Sequence, residues 1–531
     1  MNKTNVVLIL ADDMGYADLG CFGSEIDTPA LDGLAEKGMR FAQMYSMARC
    51  CPSRACLLTG LYPHQAGVGL MTGHMNDPAY QGYLNDRCLT IAQALKRGGY
   101  RTGMSGKWHV GGEYGRRADW KELSGSPAYP TPMQRGFDRF YGTLEGAADY
   151  FHPMTLMENG EKVVVQPEDD FYYTEKIGEK AEEMIEEFSQ TDDPFFLYVA
   201  FNAPHWPLHA REPDIQKYEG RYRKGWDRIR QERYRRQLEM GLVQDIWPIS
   251  PRDSGAPAWE TVKNQKQEDR KMAVYAAQVE EMDRAVGGIV QKLTDRGVLE
   301  NTLILFLSDN GACAEELPAD GWIKNYARDH TLYGKPVIAG NQSGKRPGAD
   351  DSYMSYGLPW ANASNTPFRL FKHWIHEGGI ASPFIAFWGD RIAAHGAISQ
   401  TPLHFCDILP TLLEACNIPY PETYQGTRLT PLQGESFLTV FSGGYRRQTP
   451  IFWEHEGNCG IRKGRYKLVR KYPNGFELYD IEKDRTELHD LIKELPEIAG
   501  ELIGCYRKWA AETGVKDWPQ VLGMMAAEEK A

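Results

Sequence analysis

The sequence predicts an α/β protein with a mostly parallel central sheet flanked by helices, and a smaller C-terminal α+β domain with an antiparallel sheet. Short apolar runs at residues 5–10, 195–201 and 303–307 each end directly in a polar motif: ADD, NAPH and SDNG. Apolar residues of a later segment recur at intervals of three and four, the period of a helix; they are Val279, Met282, Val286, Ile289 and Leu293. Strands that alternate with helices favour a parallel sheet.

The polar motifs at the ends of these strands indicate where a ligand binds. In parallel α/β sheets, ligands bind beyond the carboxyl ends of the strands. ADD, NAPH and SDNG all follow the carboxyl end of a predicted strand. We therefore expect a functional site at this edge of the sheet.

The chain is expected to divide into an N-terminal domain at residues 1–425 and a C-terminal subdomain at residues 426–531. Turn-forming residues become frequent after residue 418, and a helical tail ends the chain. Short strand-like runs lie between them, at residues 451–454, 459–462, 466–470 and 476–479. These runs predict a small antiparallel sheet followed by a helix.

A very polar stretch at about residues 212–270 interrupts the N-terminal domain. It contains RYRKGWDRIRQERYRRQ, which has the charge density of a solvated helix. We interpret the stretch as an insertion exposed on the surface.

Composition and charge exclude several classes of function. The formal net charge is -12, and no run of basic residues is present to follow a phosphate backbone, so nucleic acid is not an expected partner. No segment approaches the roughly 18 to 20 apolar residues of a membrane span, so we expect no membrane partner. Ten cysteines without paired spacing indicate reduced thiols rather than a disulfide framework.

The N-terminal sequence predicts a cytoplasmic protein. Its apolar run, from Val6 to Ala11, has only six residues, which is too short for the core of a signal peptide. A periplasmic location is the alternative if a leader preceded this sequence.

Residues 48–60, ARCCPSRACLLTG, have the features of an anion site at the start of a helix. Pro52 suits the first helical position, so Cys51 is expected as the N-cap and Cys50 just outside the helix. Unpaired N–H groups and the helix dipole then favour an anion such as phosphate or sulfate beside Cys50. Arg54 adds a fixed positive charge. A buried structural pair of cysteines is the alternative interpretation.

The same stretch does not fit a phosphatase-type thiolate. That design needs an arginine six residues after the cysteine, but those positions hold Cys56 and Leu57.

Two acidic pairs are candidate metal ligands. Asp12 and Asp13 follow the first strand, and Asp309 and Asn310 follow a later strand. Either pair alone could cap a helix or form a turn. Together at one edge of a sheet, they offer oxygen ligands without sulfur or imidazole, which favours Ca²⁺ or Mg²⁺ over zinc.

Cationic and imidazole side chains complete the predicted site. Lys107 and His109 lie in SGKWHVGG, His205 lies in NAPHWPLH, and Lys372 lies in FRLFKHWIHEGG. Arg54, Lys107, Lys372 and the cation would make a positive pocket for an anionic substrate in an acidic protein. Three further histidines lack a comparable context and are interpreted as surface or packing residues: His209, His373 and His376.

These motifs resemble those of the type I sulfatases, which depend on formylglycine and have an alkaline-phosphatase-like fold. CCPSR followed by TG fits the family signature of Cys, any residue, Pro, Ser, Arg, then Thr-Gly. LILADDMGYADLGCFG, GKWHVGG, APHWP, LSDNG, EGGIASPFIAFW and FELYDIEKDRTELHDL resemble further family motifs in the family's order. The similarity runs from about residue 5 to 491, and segments such as GYLNDR resemble the soluble bacterial arylsulfatases.

The resemblance implies that Cys50 is oxidised to formylglycine (3-oxoalanine), whose hydrate is the nucleophile, and that Cys51 occupies the variable position. It implies one divalent cation, Ca²⁺ in first place and Mg²⁺ as the alternative. The implied cation ligands are Asp12, Asp13, Asp309, Asn310 and the modified Cys50.

The resemblance also implies roles for the other side chains. Asp309 would take the proton of the attacking hydroxyl, and Arg54 and Lys107 would orient the hydrate. Sulfate oxygens would be held by Lys107, Lys372 and His205, and the leaving group would be protonated by His205 or Lys372. His109 would assist the release of sulfate by removing the remaining hydroxyl proton.

The expected function is hydrolysis of a sulfate monoester, with an aryl ester as the leading candidate because Trp206, Tyr356 and Trp360 are expected near the mouth of the site. A phosphonate monoester or phosphodiester hydrolase with the same formylglycine and cation is the alternative. A non-catalytic oxyanion-binding protein would require a dispensable, unmodified Cys50. The implied partners are a small-molecule sulfate ester and a formylglycine-generating or radical maturation enzyme.

Overall fold

The computed structural model describes residues 3–528 of the chain. The strands are β1 (Asn5–Ala11), β2 (Met39–Tyr45), β3 (Arg101–Gly106), β4 (Arg139–Thr143), β5 (Leu156–Glu158), β6 (Glu161–Lys162), β7 (Phe195–Ala200), β8 (Thr302–Ser308), β9 (Ile338–Ala339), β10 (Ser352–Tyr353), β11 (Ala381–Phe387), β12 (Ala397–Ser399), β13 (Leu403–His404), β14 (Thr423–Tyr424), β15 (Thr427–Arg428), β16 (Ile451–His455), β17 (Asn458–Lys463), β18 (Tyr466–Arg470) and β19 (Phe476–Asp480).

The α-helices are α1 (Pro29–Lys37), α2 (Cys50–Thr59), α3 (Pro63–Ala66), α4 (Ile91–Arg97), α5 (Trp120–Leu123), α6 (Tyr173–Phe188), α7 (Glu212–Tyr218), α8 (Trp226–Glu239), α9 (Gln265–Asp295), α10 (Gly357–Ser364), α11 (Glu377–Ile380), α12 (Ile408–Ala415), α13 (Pro496–Thr513) and α14 (Trp518–Glu528). The predicted helix with the three-and-four periodicity is α9.

The central sheet has the strand order β12-β2-β11-β8-β1-β7-β3-β4-β5-β6, with β13 also paired to β2. The five strands from β8 to β4 in this order are parallel to one another. Strand β11 is antiparallel to both β2 and β8, and β5 and β6 add an antiparallel edge. The predicted mostly parallel sheet is confirmed.

Both faces of this sheet are covered, which explains why β1 is apolar from Val6 to Ala11. Val6, Leu8 and Leu10 contribute to one hydrophobic core, and the alternate residues Val7 and Ile9 contribute to another. Successive side chains of a strand point to opposite faces, so a strand between two helical layers buries every residue.

The C-terminal part forms the predicted antiparallel sheet and helix. Strands β16 to β19 pair in chain order, each antiparallel to the next. Ile461 and Leu468 of this sheet and Leu502 of α13 belong to the same core as one face of the central sheet. The division of the chain at residue 425 stays a prediction.

The polar insertion contains the predicted helix, α8, but the prediction that it is exposed holds for only one face of this helix. Trp226, Ile229 and Arg233 of α8 are buried. The Arg233 guanidinium lies 2.6 Å from Asp18 and 2.8 Å from Glu25. A dense run of charges therefore packs against the protein, because distant carboxylates neutralise its buried face.

Within residues 3–528, none of the helices combines the length and the apolar content required to cross a membrane.

Candidate active site

The two acidic motifs meet because β1 and β8 are parallel neighbours. Ala11 pairs with Ser308 in the ladder, and the Asp309 N–H donates to the Ala11 carbonyl at 3.1 Å. The Asp13 N–H donates to Asp309 Oδ1 at 3.2 Å. Asp12, Asp13 and Asp309 therefore share the carboxyl edge of the sheet, as expected.

Two buried oxygens at this edge have no hydrogen-bond donor among residues 3–528: Asp12 Oδ1 and Asn310 Oδ1. The Asn310 amide is fixed in orientation, since its Nδ2 donates to Asp13 Oδ1 at 2.7 Å and to the Gly311 carbonyl at 2.9 Å. A buried polar oxygen without a donor is costly, and a set of oxygen ligands suits Ca²⁺ or Mg²⁺. The residues present therefore fit a divalent cation.

Helix α2 begins at Cys50, two residues before the predicted start. Arg49 is the N-cap, and the Ser53 N–H donates to its carbonyl at 2.9 Å. The placement of Cys51 as N-cap and Cys50 outside the helix is wrong. Pro52 occupies the third helical position, where the N–H would also lack an intrahelical partner. Cys50 is thus the first residue of the helix, beside the unpaired N–H groups of its first turn.

Arg54 connects this helix to the strand ends. Its side chain is fully buried, with Nε 3.0 Å from Asp309 Oδ2 and Nη1 3.0 Å from the Lys107 carbonyl. Lys107 follows β3, and its ammonium group donates to Asp12 Oδ2. Arg54 and Lys107 therefore hold the Asp309 and Asp12 carboxylates in place.

Lys372 and His205 converge on Asp13. Lys372 Nζ donates to Asp13 Oδ2 at 2.8 Å, and His205 Nε2 lies 3.2 Å from the same oxygen. Lys372 Nζ and His205 Nε2 are 3.3 Å apart. Burial lowers the pKa of His205 to about 4, against the opposing effect of Asp13, so the imidazole is neutral at pH 7.

His109 lies beside the cysteine pair. One of its ring nitrogens and the Sγ atoms of Cys50 and Cys51 are within 4.8 Å of one another. Burial lowers the pKa of His109 to about 4. The pKa of Cys50 lies well below its usual value because of its contact with the Cys51 thiol and the positive charges of Lys107 and Lys372, which outweigh the opposing effect of burial.

The carboxylates repel one another at this site. Burial and the charge of Asp12 raise the pKa of Asp309 well above its ordinary value. Burial also raises the pKa of Asp12. Burial also acts to raise the pKa of Asp13, but the electrostatic effects of Lys372 and His205 are stronger, and the pKa of Asp13 is lowered. A divalent cation would relieve this repulsion.

A cavity of about 380 Å³ opens above these groups, with Cys50, His109, His205 and Lys372 in its lining. The fold therefore brings together predicted site residues from four segments that are distant in sequence. His209, His373 and His376 do not line this cavity.

The aromatic wall of the cavity differs from the prediction. Trp206 lines the cavity as expected, but Tyr356 and Trp360 do not. Trp360 is buried against Trp226, Trp259 and Tyr222, and Tyr356 stacks on Tyr275. The prediction was wrong because closeness in sequence to Lys372 does not place a ring beside it.

The sequence reasoning missed much of the cavity wall, including two aromatic residues and an ion pair. Trp322 and Tyr326 form a three-ring cluster with Trp206, with centroids 5.7 to 6.1 Å apart. Arg49 and Glu315 form an ion pair of 2.8 Å at the cavity, and Glu315 also accepts from Trp206 Nε1 at 2.8 Å. The one signal in the sequence that could have indicated this part of the cavity lining is the presence of two aromatic residues, Trp322 and Tyr326, close together.

Comparison with known proteins identifies the family. The sulfatase family model matches residues 4–418. The chain belongs to the sulfatase family. A second model, described as N-sulphoglucosamine sulphohydrolase, C-terminal, matches residues 368–502 of this sulfatase. Sulfatases hydrolyse sulfate esters, so the protein is a sulfuric ester hydrolase.

Curated relatives support the same assignment for this sulfatase. An uncharacterized sulfatase of Schizosaccharomyces pombe is 34% identical over 97% of this chain and 95% of the relative. The arylsulfatase of Klebsiella aerogenes is 33% identical over 84% of this chain and 93% of the relative.

Solved structures show the same fold. Ps i-CgsB has a TM-score of 0.67 at 24% identity and covers 97% of this sulfatase and 94% of its own chain. The phosphonate monoester hydrolase of Agrobacterium radiobacter has a TM-score of 0.55 at 20% identity, with coverages of 99% and 96%. At these identities, the likeness concerns the fold alone.

Proposed function

We propose that this sulfatase hydrolyses aryl sulfate monoesters to a phenol and inorganic sulfate, with Cys50 converted to formylglycine. The observation that carries the proposal is the cavity that joins Cys50, His109, His205 and Lys372 to an aromatic wall. The cationic end suits a sulfate group, and the wall suits the leaving group. The likeness to the Klebsiella aerogenes arylsulfatase supports the aryl assignment.

The proposed cation ligands are Asp12, Asp13, Asp309, Asn310 and residue 50 itself. The donor-free oxygens of Asp12 and Asn310 support this set. We assign Ca²⁺ first, since it accepts several carboxylate and carbonyl oxygens in flexible geometry, and Mg²⁺ second. When bound, the cation would polarise the sulfate oxygens and lower the negative charge at the strand ends.

Formylglycine at position 50 would supply, as its hydrate, a hydroxyl nucleophile and a second hydroxyl that allows sulfate to leave by collapse to the aldehyde. Arg54 and Lys107 are held rigidly by Asp309 and Asp12, so they can orient residue 50 without moving. Cys51 contacts Met71 Sδ at 3.3 Å and needs no chemical role.

Proton transfer is assigned to the groups around residue 50. Asp309 lies next to Arg54, where it can accept the proton of the attacking hydroxyl. The His205 and Lys372 pair, 3.3 Å apart, would hold a sulfate oxygen, and the Lys372 ammonium group would supply the proton to the leaving oxygen because His205 is neutral. His109 is beside Cys50, where a neutral imidazole can accept the remaining hydroxyl proton.

The aromatic wall would bind the leaving group. Trp322 is 46% exposed although it contacts two other rings, so one face is available to a ligand. Aromatic pairs contribute about 0.5 to 1.5 kcal/mol beyond the burial of area. A phenyl ring therefore gains contacts here that a short alkyl group does not.

The test is hydrolysis of 4-nitrophenyl sulfate by protein that was co-expressed with a formylglycine-generating or radical maturation enzyme. Phenyl phosphonate and a bis-aryl phosphate serve as competing substrates, since the fold is shared with a phosphonate monoester hydrolase. We expect the highest kcat/KM on the sulfate. A higher kcat/KM on either phosphorus ester would replace the proposal by the alternative, and no release from any sulfate ester by converted protein would reject it.

A further inference from the structure

A second cavity, of about 690 Å³, lies where the central sheet meets the C-terminal sheet. We name it the junction cavity. Its lining includes Gln43 of β2, Gln400 after β12 and Arg462 of β17, and it shares no residue with the lining of the active-site cavity. None of the chemistry proposed above uses this space.

The lining of the junction cavity is strongly basic in a chain with a net charge of -12. Among the described residues that line it, Glu482 is the only acidic one. Its basic side chains are Arg446, Arg447, Arg462, Lys463, Arg465 and Lys483. A concave surface with one sign of charge attracts ligands of the opposite charge.

Three of these cations are neutralised by carboxylates outside the cavity: Arg447 by Asp407, Lys463 by Glu501 and Arg465 by Asp480. For the other three, the described part of the chain offers no carboxylate oxygen within 4.0 Å. These are Arg446 and Lys483, which are exposed, and Arg462, which is only 6% exposed.

Arg462 is the centre of the site. Its Nη1 donates to Gln43 Oε1 and to the Tyr45 hydroxyl, both at 2.6 Å, and its Nε donates to the Gly464 carbonyl at 3.2 Å. Its Nη2 makes no hydrogen bond with residues 3–528. A largely buried guanidinium with neutral partners and one free NH₂ group has an unmet preference for an anion.

A buried carboxylate near Arg462 does not meet this preference. Glu377 makes no ion pair with Arg462 within 4.0 Å, and a hydrogen bond of 3.1 Å from the Tyr45 hydroxyl connects the two. Both oxygens of Glu377 are already taken, by Lys467 at 3.0 Å and by Arg485 at 2.9 Å.

We propose that the junction cavity binds the sulfate groups of a sulfated saccharide. Arginine forks match the oxygens of a tetrahedral oxyanion. The volume is in the range of small-molecule sites and exceeds what a single sulfate ion fills. The cavity also has neutral amides that suit sugar hydroxyls: the Gln244 side chain and the Gln448 side-chain oxygen accept no hydrogen bond from residues 3–528. Free sulfate presents the same group, so the experiment must separate the two sources.

The test is isothermal titration calorimetry on the full chain purified without maturation, so that a sulfated ligand is not hydrolysed. Three probes are titrated: a sulfated disaccharide, its unsulfated counterpart and sodium sulfate. Arg446→Gln with Lys483→Gln removes two exposed cations of the cavity, and Lys508→Gln, whose side chain is 78% exposed on α13, is the matched control. Arg462→Gln tests the arginine at the centre of the site. If this substitution of a buried residue prevents folding, the double variant of the exposed Arg446 and Lys483 still decides the test.

We expect the sulfated disaccharide to bind, its affinity to fall about tenfold in the double variant, and the control to bind as wild type. The mature double variant should hydrolyse 4-nitrophenyl sulfate normally, because its two residues lie outside the active site. If sodium sulfate binds and its affinity falls equally in the double variant of Arg446 and Lys483, the result would support the site and assign it to the free sulfate anion. Equal affinity in the double variant and wild type, or equal binding of the unsulfated disaccharide, would overturn the proposal.

Discussion

Replacement of Arg233 by methionine is expected to destabilise the protein by about 3 to 5 kcal/mol, the usual cost of breaking a buried ion pair from one side. Arg233 lies in α8, the most highly charged helix, yet it is fully buried. Its Nη1 is 2.6 Å from Asp18 Oδ1, and its Nε and Nη2 are 3.0 and 2.8 Å from the Glu25 carboxylate.

The magnitude depends mainly on Asp18. Glu25 keeps a second arginine, Arg236, at 3.3 Å, and methionine fills much of the vacated volume. Asp18 is fully buried and keeps neutral donors, among them the Tyr275 hydroxyl and the Gly15 N–H, but no charge that replaces the arginine within residues 3–528. The hydrogen bond from the Gly15 N–H to Asp18 fixes the loop just after Asp13. Loss of Arg233 is therefore expected to disturb the proposed cation ligands as well.

The assay is urea denaturation together with the melting temperature, at pH 8 and pH 5. The matched control is Arg235→Met, since the Arg235 side chain is 68% exposed and its sole ion pair in the described chain, with Glu239, is long at 3.6 Å. We expect this variant to change the free energy of unfolding by no more than about 0.5 kcal/mol.

The deficit of the Arg233 variant should shrink as the pH falls. Burial already raises the pKa of Asp18, against the effect of Arg233, and loss of the arginine raises it further. A carboxyl group with a raised folded pKa contributes most stability when protonated and loses it as the pH rises above the unfolded value of about 3.9. A loss at pH 8 no larger than that of Arg235→Met, or a larger loss at pH 5 than at pH 8, would refute this reasoning.

Three further outcomes are expected. Cys50→Ala should abolish turnover, by about a thousandfold or more, while Cys51→Ala stays within about threefold of wild type; equal losses would contradict the choice of nucleophile. Trp322→Ala should lower kcat/KM for 4-nitrophenyl sulfate about tenfold but leave kcat/KM for an alkyl sulfate nearly unchanged. The control is Tyr333→Ala, since Tyr333 is an aromatic residue that is 65% exposed and lies outside this cavity. Equal effects of Trp322→Ala on both esters would exclude an aromatic contact with the leaving group. Chelator should lower both the melting temperature and activity, and Ca²⁺ should restore both; a stability indifferent to chelator and Ca²⁺ would argue against the cation site.

The sequence predicted the features that follow from local pattern. Apolar runs that end in ADD and SDNG specified two buried strands and placed Asp12 and Asp309 at one edge, because parallel neighbours bring their carboxyl ends together. The signature around Cys50 predicted a helix with Arg54 directed at an anion, and both belong to α2 in the structure.

The errors came from contacts between residues distant in sequence. The charge density of α8 predicted exposure, but Asp18 and Glu25, about 210 residues earlier, neutralise Arg233. The start of α2 was misplaced because a proline is tolerated at any of the first helical positions that lack a backbone partner, not only at the first.

The substrate wall could not be predicted for a different reason. Trp322 lies on a short helical turn at Gly321–Asn325, and its position depends on how that loop packs on Trp206. Loop packing is set by tertiary contacts and leaves no periodic pattern in the sequence.

The central claim is that residue 50, once converted to formylglycine, performs sulfate ester hydrolysis. The most direct measurement compares preparations matured to different extents, with the converted fraction read from the mass of the peptide containing Cys50, which loses about 18 Da on conversion. We expect the rate of 4-nitrophenyl sulfate hydrolysis per mole of protein to rise in proportion to the converted fraction and to extrapolate to zero for the unmodified thiol. Full activity in preparations whose peptide mass shows no conversion would contradict this claim.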